Sequence, residues 1–461
     1  MLKLYNTLTK KIEEFTPLNP PKVGMYTCGQ TVYDYTHVGH LRTYIGEDIL
    51  RRVLVSNGYD VKHVQNVTDV GHLTSDADEG DDKLDKRAKE RGQTVWEVAR
   101  FFEKYHFDSL EQVNVLKPSV ICRATEHINE QIKLIEQLFK KGYTYQSEQA
   151  IYFDTSKLAD YGKLTGQKLE EKKVGVRDEV VVDPDKKHPA DFALWFFTVG
   201  HFKDHTMRWS SPWGEGFPGW HIECSAMSME YLGNTLDIHA GGIDHIPVHH
   251  TNEIAQSEAA TGQQFSRYWV HFGWLLIDGE KMSKSKKNFY TIDEISDKGF
   301  DPLALRYLFM TAHYRDMQNF TWESLEAAQN ALNKIREEIR AWESPKIGCA
   351  EFQQRFLEAA NNDLNMPQAV AVLHELIRSD YPTSSKARSI LEMDKILGLK
   401  LDEYLGKPLE IPEEVRKLVE QRKKARLDKD FKKSDELRKE IKALGFEVED
   451  TPDGPKVKTL N

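Results

Sequence analysis

Cysteine is scarce in this chain of 461 residues: Cys28, Cys122, Cys224 and Cys349 are all there is. Four thiols so widely dispersed exclude a disulfide framework and leave buried thiols, metal ligands or nucleophiles. No two cysteines stand two residues apart, so spacing alone marks no zinc site. A long apolar run is missing too; nothing approaches the roughly 20 residues that span a bilayer. Met1-Leu2-Lys3-Leu4-Tyr5-Asn6-Thr7 lacks the apolar core of a secretory signal, so the expectation is a cytoplasmic protein with no membrane partner. Internal repeats and low-complexity tracts are also absent. Net positive charge is lacking: 63 Lys and Arg face 73 Asp and Glu. This excludes a basic coat but not a local basic patch for nucleic acid. What remains is ordinary globular composition, 39% hydrophobic and 30% charged, in a chain long enough for several domains.

Residues 23–28, Val-Gly-Met-Tyr-Thr-Cys, read as a buried strand that ends at Cys28. From Gly39, the spacing of Leu41, Ile45, Ile49, Val53 and Leu54 predicts a helix, which Asn57-Gly58 stops. Residues 61–67 predict a second strand. Strand, helix and strand in that order mark a parallel α/β sheet. Residues 69–91 are densely charged, and 71–80 within them read as a surface excursion. Helices are expected at 96–107 and 126–141, a strand at 235–240, a helix at 249–261 and a strand at 268–277. Beyond 301 the pattern is helical to about 397.

Two strings carry chemistry. His37-Val38-Gly39-His40 stands where a strand-to-helix turn opens a helix. Backbone N–H groups and the helix dipole favour anions there, and glycine leaves room for a nucleotide. Lys281-Met282-Ser283-Lys284-Ser285 puts two ammonium groups and two hydroxyls on a short loop after a strand, able to close on a pyrophosphate. Either string alone is also what a solvated loop carries. Together, at opposite ends of one expected sheet, they predict ATP chemistry.

Both strings resemble the signature motifs of class I aminoacyl-tRNA synthetases. Three further segments are similar to cysteinyl-tRNA synthetases: Met25 to Asp34, Pro218 to Met227, and His249-His250-Thr251-Asn252-Glu253-Ile254-Ala255-Gln256-Ser257. The resemblance implies a Rossmann-like parallel-sheet catalytic domain with an insertion, then a helical bundle and a small basic C-terminal domain. The expected divisions are 1–110 and 206–300 for the two catalytic halves, and 111–205 for the connective insertion. Residues 301–405 are expected to hold the stem-contact region and anticodon bundle, and 406–461 the C-terminal part. The implied activity is formation of cysteinyl-adenylate from cysteine and ATP with Mg2+, then transfer to tRNA(Cys), by a monomer.

By the same resemblance Cys28, Cys224, His249 and Glu253 are implied ligands of one zinc ion per subunit. Two thiolates, an imidazole and a carboxylate suit zinc, and His249 and Glu253, four apart, share a helix face. His250 competes with His249. A zinc ion with room for another ligand would bind a substrate thiolate and reject serine. His37, His40, Lys284 and Lys281 are the implied catalytic groups. ATP is expected at His37, Gly39, His40, Gly242, Asp244 and Lys284, and cysteine at Gly29, Thr68 and Trp220. Trp220 reads equally as a core aromatic, and His221 and Glu223 have no clear role.

Residues 416–442 hold twelve Lys or Arg against six acids, a local reversal of the chain's charge. Phe431 among these lysines could stack on a base or lie on the face of a solvated helix. Three features depart from the family pattern: the 71–80 excursion, Thr251 where an acid is common, and Lys286-Lys287 after the lysine loop. Two other functions fit the same core. One is a cysteine ligase acting on an amino sugar, and the long C-terminal region argues against it. The other is a non-catalytic zinc-containing RNA-binding paralogue, and the intact His37, His40 and Lys284 argue against that.

Overall fold

The run ending at Cys28 lies at the centre of a five-stranded sheet whose strands are all parallel. In chain order these are β1 (Lys22–Thr27), β2 (Asp60–Val67), β3 (Val120–Arg123), β4 (Leu236–Gly242) and β5 (Ser266–Phe272). Across the sheet they stand in the order β5-β4-β1-β2-β3. The chain winds one way from β1 and the other way from β4, so the strand order reverses between β1 and β4. Ligands of open α/β sheets bind at the carboxyl ends of the strands beside such a reversal. The computed structural model describes residues 1–71, 73–75, 79–166, 183, 185–282, 288–451 and 454–459.

Helix α1 (Val38–Ser56) joins β1 to β2. Leu41, Ile45, Leu50, Val53 and Leu54 are fully buried along it, each contributing roughly 1.5–3 kcal/mol. Thr27 bonds His63 on β2 and lies toward α1, whereas Cys28, the next residue, points to the other face. On that face lie α2 (Trp220–Leu232) and α3 (His249–Thr261), in a core with Tyr26, Val64, Cys224, Met227 and Ile254. Between β3 and α2 the chain builds an antiparallel sheet from Thr144–Gln146, Ala150–Phe153, Phe192–Phe197, Trp209–Ser211 and Gly214–Pro218.

Sheet, antiparallel insertion and α1 to α3 belong to one compact unit, comprising Met1–Ile292, Phe309–Phe320 and Glu358–Gln368. The second unit comprises Asp293–Leu308, Thr321–Leu357 and Ala369–Asn461. It holds Trp322–Arg340, Thr383–Leu397, a helical hairpin of α4 (Glu413–Leu427) and α5 (Phe431–Ala443), and a terminal β-hairpin. Val415, Val419, Ile441 and Val448 form the small core of that last part.

Three expectations are corrected. The strand expected at 268–277 is two strands in two sheets: β5 stops at Phe272, and β6 (Leu275–Ile277) pairs elsewhere. Gly273 makes the break; a Cβ there would lie 2.5 Å from the Asp316 carbonyl oxygen. Beyond 71–80 the charged stretch holds a helix the expectation missed, Lys83–Arg91, capped by Asp82. The helical expectation after 301 misses a short strand, Gln318–Phe320. Among the described residues no helix is long and apolar enough to cross a membrane.

Candidate functional site

His37 caps α1: its Nδ1 accepts the His40 backbone N–H at 3.2 Å. That bond uses the Nδ1 lone pair and places the proton of the neutral ring on Nε2. The His40 ring stacks on His37 at 3.5 Å, tilted by 21°. Desolvation pushes His40 down to about 4, against the opposing fields of Asp244 and Asp34. His40 is therefore a neutral donor at pH 7 rather than a cation.

The segment after the lysine loop is tied to this turn. Val38 donates its N–H to the Tyr290 carbonyl at 2.9 Å, His37 bridges Thr291, and Phe289 meets the His37 ring edge-on. Before the loop, Lys281 lies in a hairpin of β6 with β7 (Glu280–Lys281), its ammonium 5.5 Å from the Trp274 ring centre. A Cβ on Gly39 would lie 3.3 Å from the Met282 methyl. The two distant strings thus meet. Lys284, with Ser283, Ser285, Lys286 and Lys287, lies outside the described residues, as do the side chains of 72–81.

Cys28, Cys224, His249 and Glu253 converge from three elements: the end of β1, the second turn of α2 and one face of α3. Their donor atoms all lie within 4.8 Å of one another, and all four residues are buried. The two sulfurs are 4.0 Å apart, Cys28 Sγ is 3.8 Å from Glu253, and His249 Nε2 is 3.0 Å from Glu253. A tetrahedron of zinc–sulfur bonds has an edge of about 3.8 Å, so the donor set fits a four-coordinate cation in size and chemistry. Burial opposes charge on Glu253, yet His239 and His249 hold it well below the usual carboxylate range. Burial likewise opposes charge on His249, and Glu253 and Cys224 push it up to about 10. An overlapping group of Cys28, His239, His250 and Glu253 also satisfies metal-ligand distances. His250 Nε2 is 3.3 Å from Cys28, while its Nδ1 bonds His271 at 2.7 Å.

The remaining expected residues fall nearby. Trp220 opens α2, half-buried, its ring 4.4 Å from that of His249. Gly29 and Thr68 follow β1 and β2 and share one partner: Asn66 accepts the Gly29 N–H at 2.7 Å and donates to the Thr68 hydroxyl at 3.0 Å. Gly242 ends β4, and Asp244, exposed, lies in the turn beyond it. His221 contacts His249 at 3.0 Å, a placement its lone position in the sequence could not reveal. Sequence reading missed Asn66, His239 and Arg42. Arg42 alone left a signal, a charge in register with Ile45 and Ile49 on an apolar stripe.

Residues 14–330 match the family described as tRNA synthetases class I (C) catalytic domain. The doubly wound sheet and the histidine turn facing a lysine-loop hairpin define this class, and the chain is a class I tRNA synthetase. Solved structures share the fold. Methionyl-tRNA synthetase of Mycobacterium tuberculosis with methionyl-adenylate aligns with TM-score 0.57 at 14% identity, over 82% of this chain and 90% of that one. The LeuRS of Agrobacterium radiobacter K84, in a ternary complex with tRNA and LeuAMS, aligns with TM-score 0.60 at 11% identity, over 85% of each. Residues 409–456 match the Cysteinyl-tRNA ligase anticodon binding domain. Cysteine–tRNA ligase 1 of Burkholderia lata is 48% identical over 99% of this chain and 96% of its own length. The enzyme of Caldicellulosiruptor saccharolyticus is 44% identical over the whole of both. The chain belongs to the cysteine–tRNA ligase family.

Proposed function

We propose that this protein joins L-cysteine to the 3′ end of tRNA(Cys) at the expense of ATP, as a cytoplasmic monomer. In the first step a carboxylate oxygen of cysteine attacks the α-phosphorus of ATP. Cysteinyl-adenylate forms and pyrophosphate leaves with Mg2+. In the second step a hydroxyl of the terminal adenosine takes the cysteinyl group and AMP leaves. His37 and His40 donate to the phosphate oxygens, His40 as a neutral imidazole, aided by the N-terminus of α1. Lys284, supported by Lys281, meets the charge that grows on the leaving pyrophosphate. Gly242 and Asp244 hold the adenosine end, while Gly29, Thr68 and Trp220 line the cysteine pocket.

The observation that carries the reading is the cluster of two thiols, an imidazole and a carboxylate at the end of the strand that feeds the histidine turn. Cys28, Cys224, His249 and Glu253 would hold one zinc ion. When bound, that ion supplies a soft Lewis acid that favours a substrate thiolate over a hydroxyl. His249 is preferred to His250 because the i, i+4 spacing puts it on one face with Glu253, its Nε2 3.0 Å from the carboxylate against 3.9 Å for His250.

The match of 409–456 to an anticodon-binding domain favours tRNA over an amino sugar as acceptor. The test is cysteine-dependent exchange of pyrophosphate into ATP, followed by acceptor assays with tRNA(Cys) and with an amino sugar. Lys284→Ala is expected to depress exchange by orders of magnitude at full zinc content. Near-normal exchange in that variant, or transfer to the sugar alone, overturns the reading.

A further inference from the structure

Arg42 lies in the second turn of α1, two residues past His40, and is 4% exposed. Its guanidinium donates to four oxygens, none of them on its own helix. Nε–H reaches the Gly273 carbonyl at 3.2 Å, Nη1 the Gln318 side chain, and Nη2 the carbonyls of His313 at 3.3 Å and Asp316 at 2.6 Å. Burial pushes the group down to about 10, which leaves it charged at neutral pH.

The places of these acceptors give the contact its meaning. Gly273 is the hinge where β5 gives way to β6, and β6 with β7 forms the hairpin that delivers Lys281. Gln318 opens Gln318–Phe320, the strand that pairs with β6 on its other side. Arg42 therefore holds the chain just ahead of β6 and at the start of its partner strand, the two segments that lead into the lysine-loop hairpin. At the loop's exit, Val38 of the same helix holds Tyr290. The start of α1 thus anchors the chain on either side of residues 283–287.

We infer that Arg42 is a positioning residue for adenylate formation, setting the lysine-loop hairpin at a fixed place against His37 and His40. The inference rests on the function proposed above. Its four-acceptor grip needs the planar fork of arginine; a lysine ammonium keeps the charge but cannot span these oxygens.

The experiment compares full-length Arg42→Gln and Arg42→Lys with the parent in two separate reactions. One is cysteine-dependent pyrophosphate exchange. The other is single-turnover transfer to tRNA(Cys) from enzyme-bound adenylate isolated beforehand. Displacing the hairpin by about 1 Å is expected to lower exchange kcat about 10²-fold in Arg42→Gln, and less in Arg42→Lys. Transfer from preformed adenylate, zinc content and the cysteine KM are expected to change by less than about threefold, because those readouts do not use the leaving pyrophosphate. In a Lys284→Ala background Arg42→Gln adds no further loss. Equal losses in both reactions, or a full added loss on top of Lys284→Ala, overturn the inference. Gln318→Ala, which removes one acceptor, supplies the same comparison if Arg42→Gln does not fold. A parent protein with no cysteine-dependent exchange would instead reject the function itself.

Discussion

Replacing the buried Glu47 is expected to stabilise the protein. Glu47 lies on α1 with 1% of its surface exposed, and its carboxylate oxygens have no well-formed hydrogen bond among the described residues. The Thr27 hydroxyl would favour the ionised form, but it is shared with His63 at 2.9 Å and Gln65 at 3.2 Å. Burial therefore pushes the carboxyl well above its ordinary value of 4.5. A carboxyl raised in this way binds its proton more tightly in the folded state than in the unfolded one. Its contribution to stability is fully present below 4.5, and is lost as pH rises toward the folded value. The loss runs at about 1.4 kcal/mol per pH unit.

Glu47→Gln removes the ionisation at nearly constant shape, and Glu47→Met removes the polar atoms as well. A gain of about 1–4 kcal/mol at pH 8 is expected for Glu47→Met, the range seen even when a buried ion pair gives way to apolar side chains of similar volume. Urea unfolding of the sheet-bearing unit, followed from pH 4.5 to 8, measures it. Glu47→Gln and the parent are expected to lie close together at the acid end and to separate as pH rises. A variant less stable than the parent at pH 8, or a gap that does not change with pH, refutes the reasoning. Because Thr27 faces α1 and Cys28 faces away from it, metal content is expected to stay at one ion per chain.

Other expectations follow from the same geometry. Cys224→Ser is expected to lower bound zinc well below one per chain, read by atomic absorption, and to erase the preference for cysteine over serine. Chelation of the parent is expected to abolish cysteine-dependent exchange while leaving the ATP dissociation constant within about threefold of its original value, since no phosphate contact is lost. Desolvation pushes His63 and His106 each down to about 3 from 6.5. Below pH 6.5 the unfolded chain takes up two protons that the folded one refuses, costing about 4 kcal/mol by pH 5. His106→Gln is expected to remove about 2 kcal/mol of the stability lost by pH 5 in urea titrations. Phe431 is 61% exposed at the turn between α4 and α5. Phe431→Ala is expected to raise the KM for tRNA(Cys) about tenfold if a base stacks there, and an unchanged KM assigns it to a solvated helix.

Where one physical rule governed an element, that element was legible in the sequence. Helix α1 was visible because Leu41, Ile45, Ile49 and Val53 keep the helical period. The division of 268–277 was not visible: both pieces are apolar, and Gly273 breaks the strand through carbonyls of Arg315 and Asp316 that are distant in sequence. Gln318–Phe320 is too short to show alternation. At the site, spacing related only His249 to Glu253. Cys28 and Cys224 come together through the winding of the sheet, and only the resemblance to a known family anticipated them. Glu47 ran against pattern, since a charged side chain on an otherwise buried helix is read as solvent-facing. The lysine of greatest interest, Lys284, lies outside the described residues.

The metal cluster and the histidine turn lie nine residues apart in the chain, yet they are held by separate supports. Residues 29–36 connect them, and this loop carries its own bonds. Gly29 donates to Asn66, Thr68 donates to the Gln30 carbonyl at 3.2 Å, and Val32 donates to the Thr68 carbonyl at 3.1 Å. The Thr36 hydroxyl gives its proton to the Gln30 side chain at 2.6 Å and faces His106 Nδ1 at 3.0 Å. With its only proton committed to Gln30, Thr36 accepts from His106, which fixes that imidazole as the Nδ1–H tautomer. None of these bonds passes through Cys28 Sγ. The four candidate ligands and the histidine turn therefore share a strand end without sharing a support. On the function proposed above, removing the metal is expected to abolish recognition of cysteine while the histidine turn stays in place, read as unchanged ATP binding by the chelated protein.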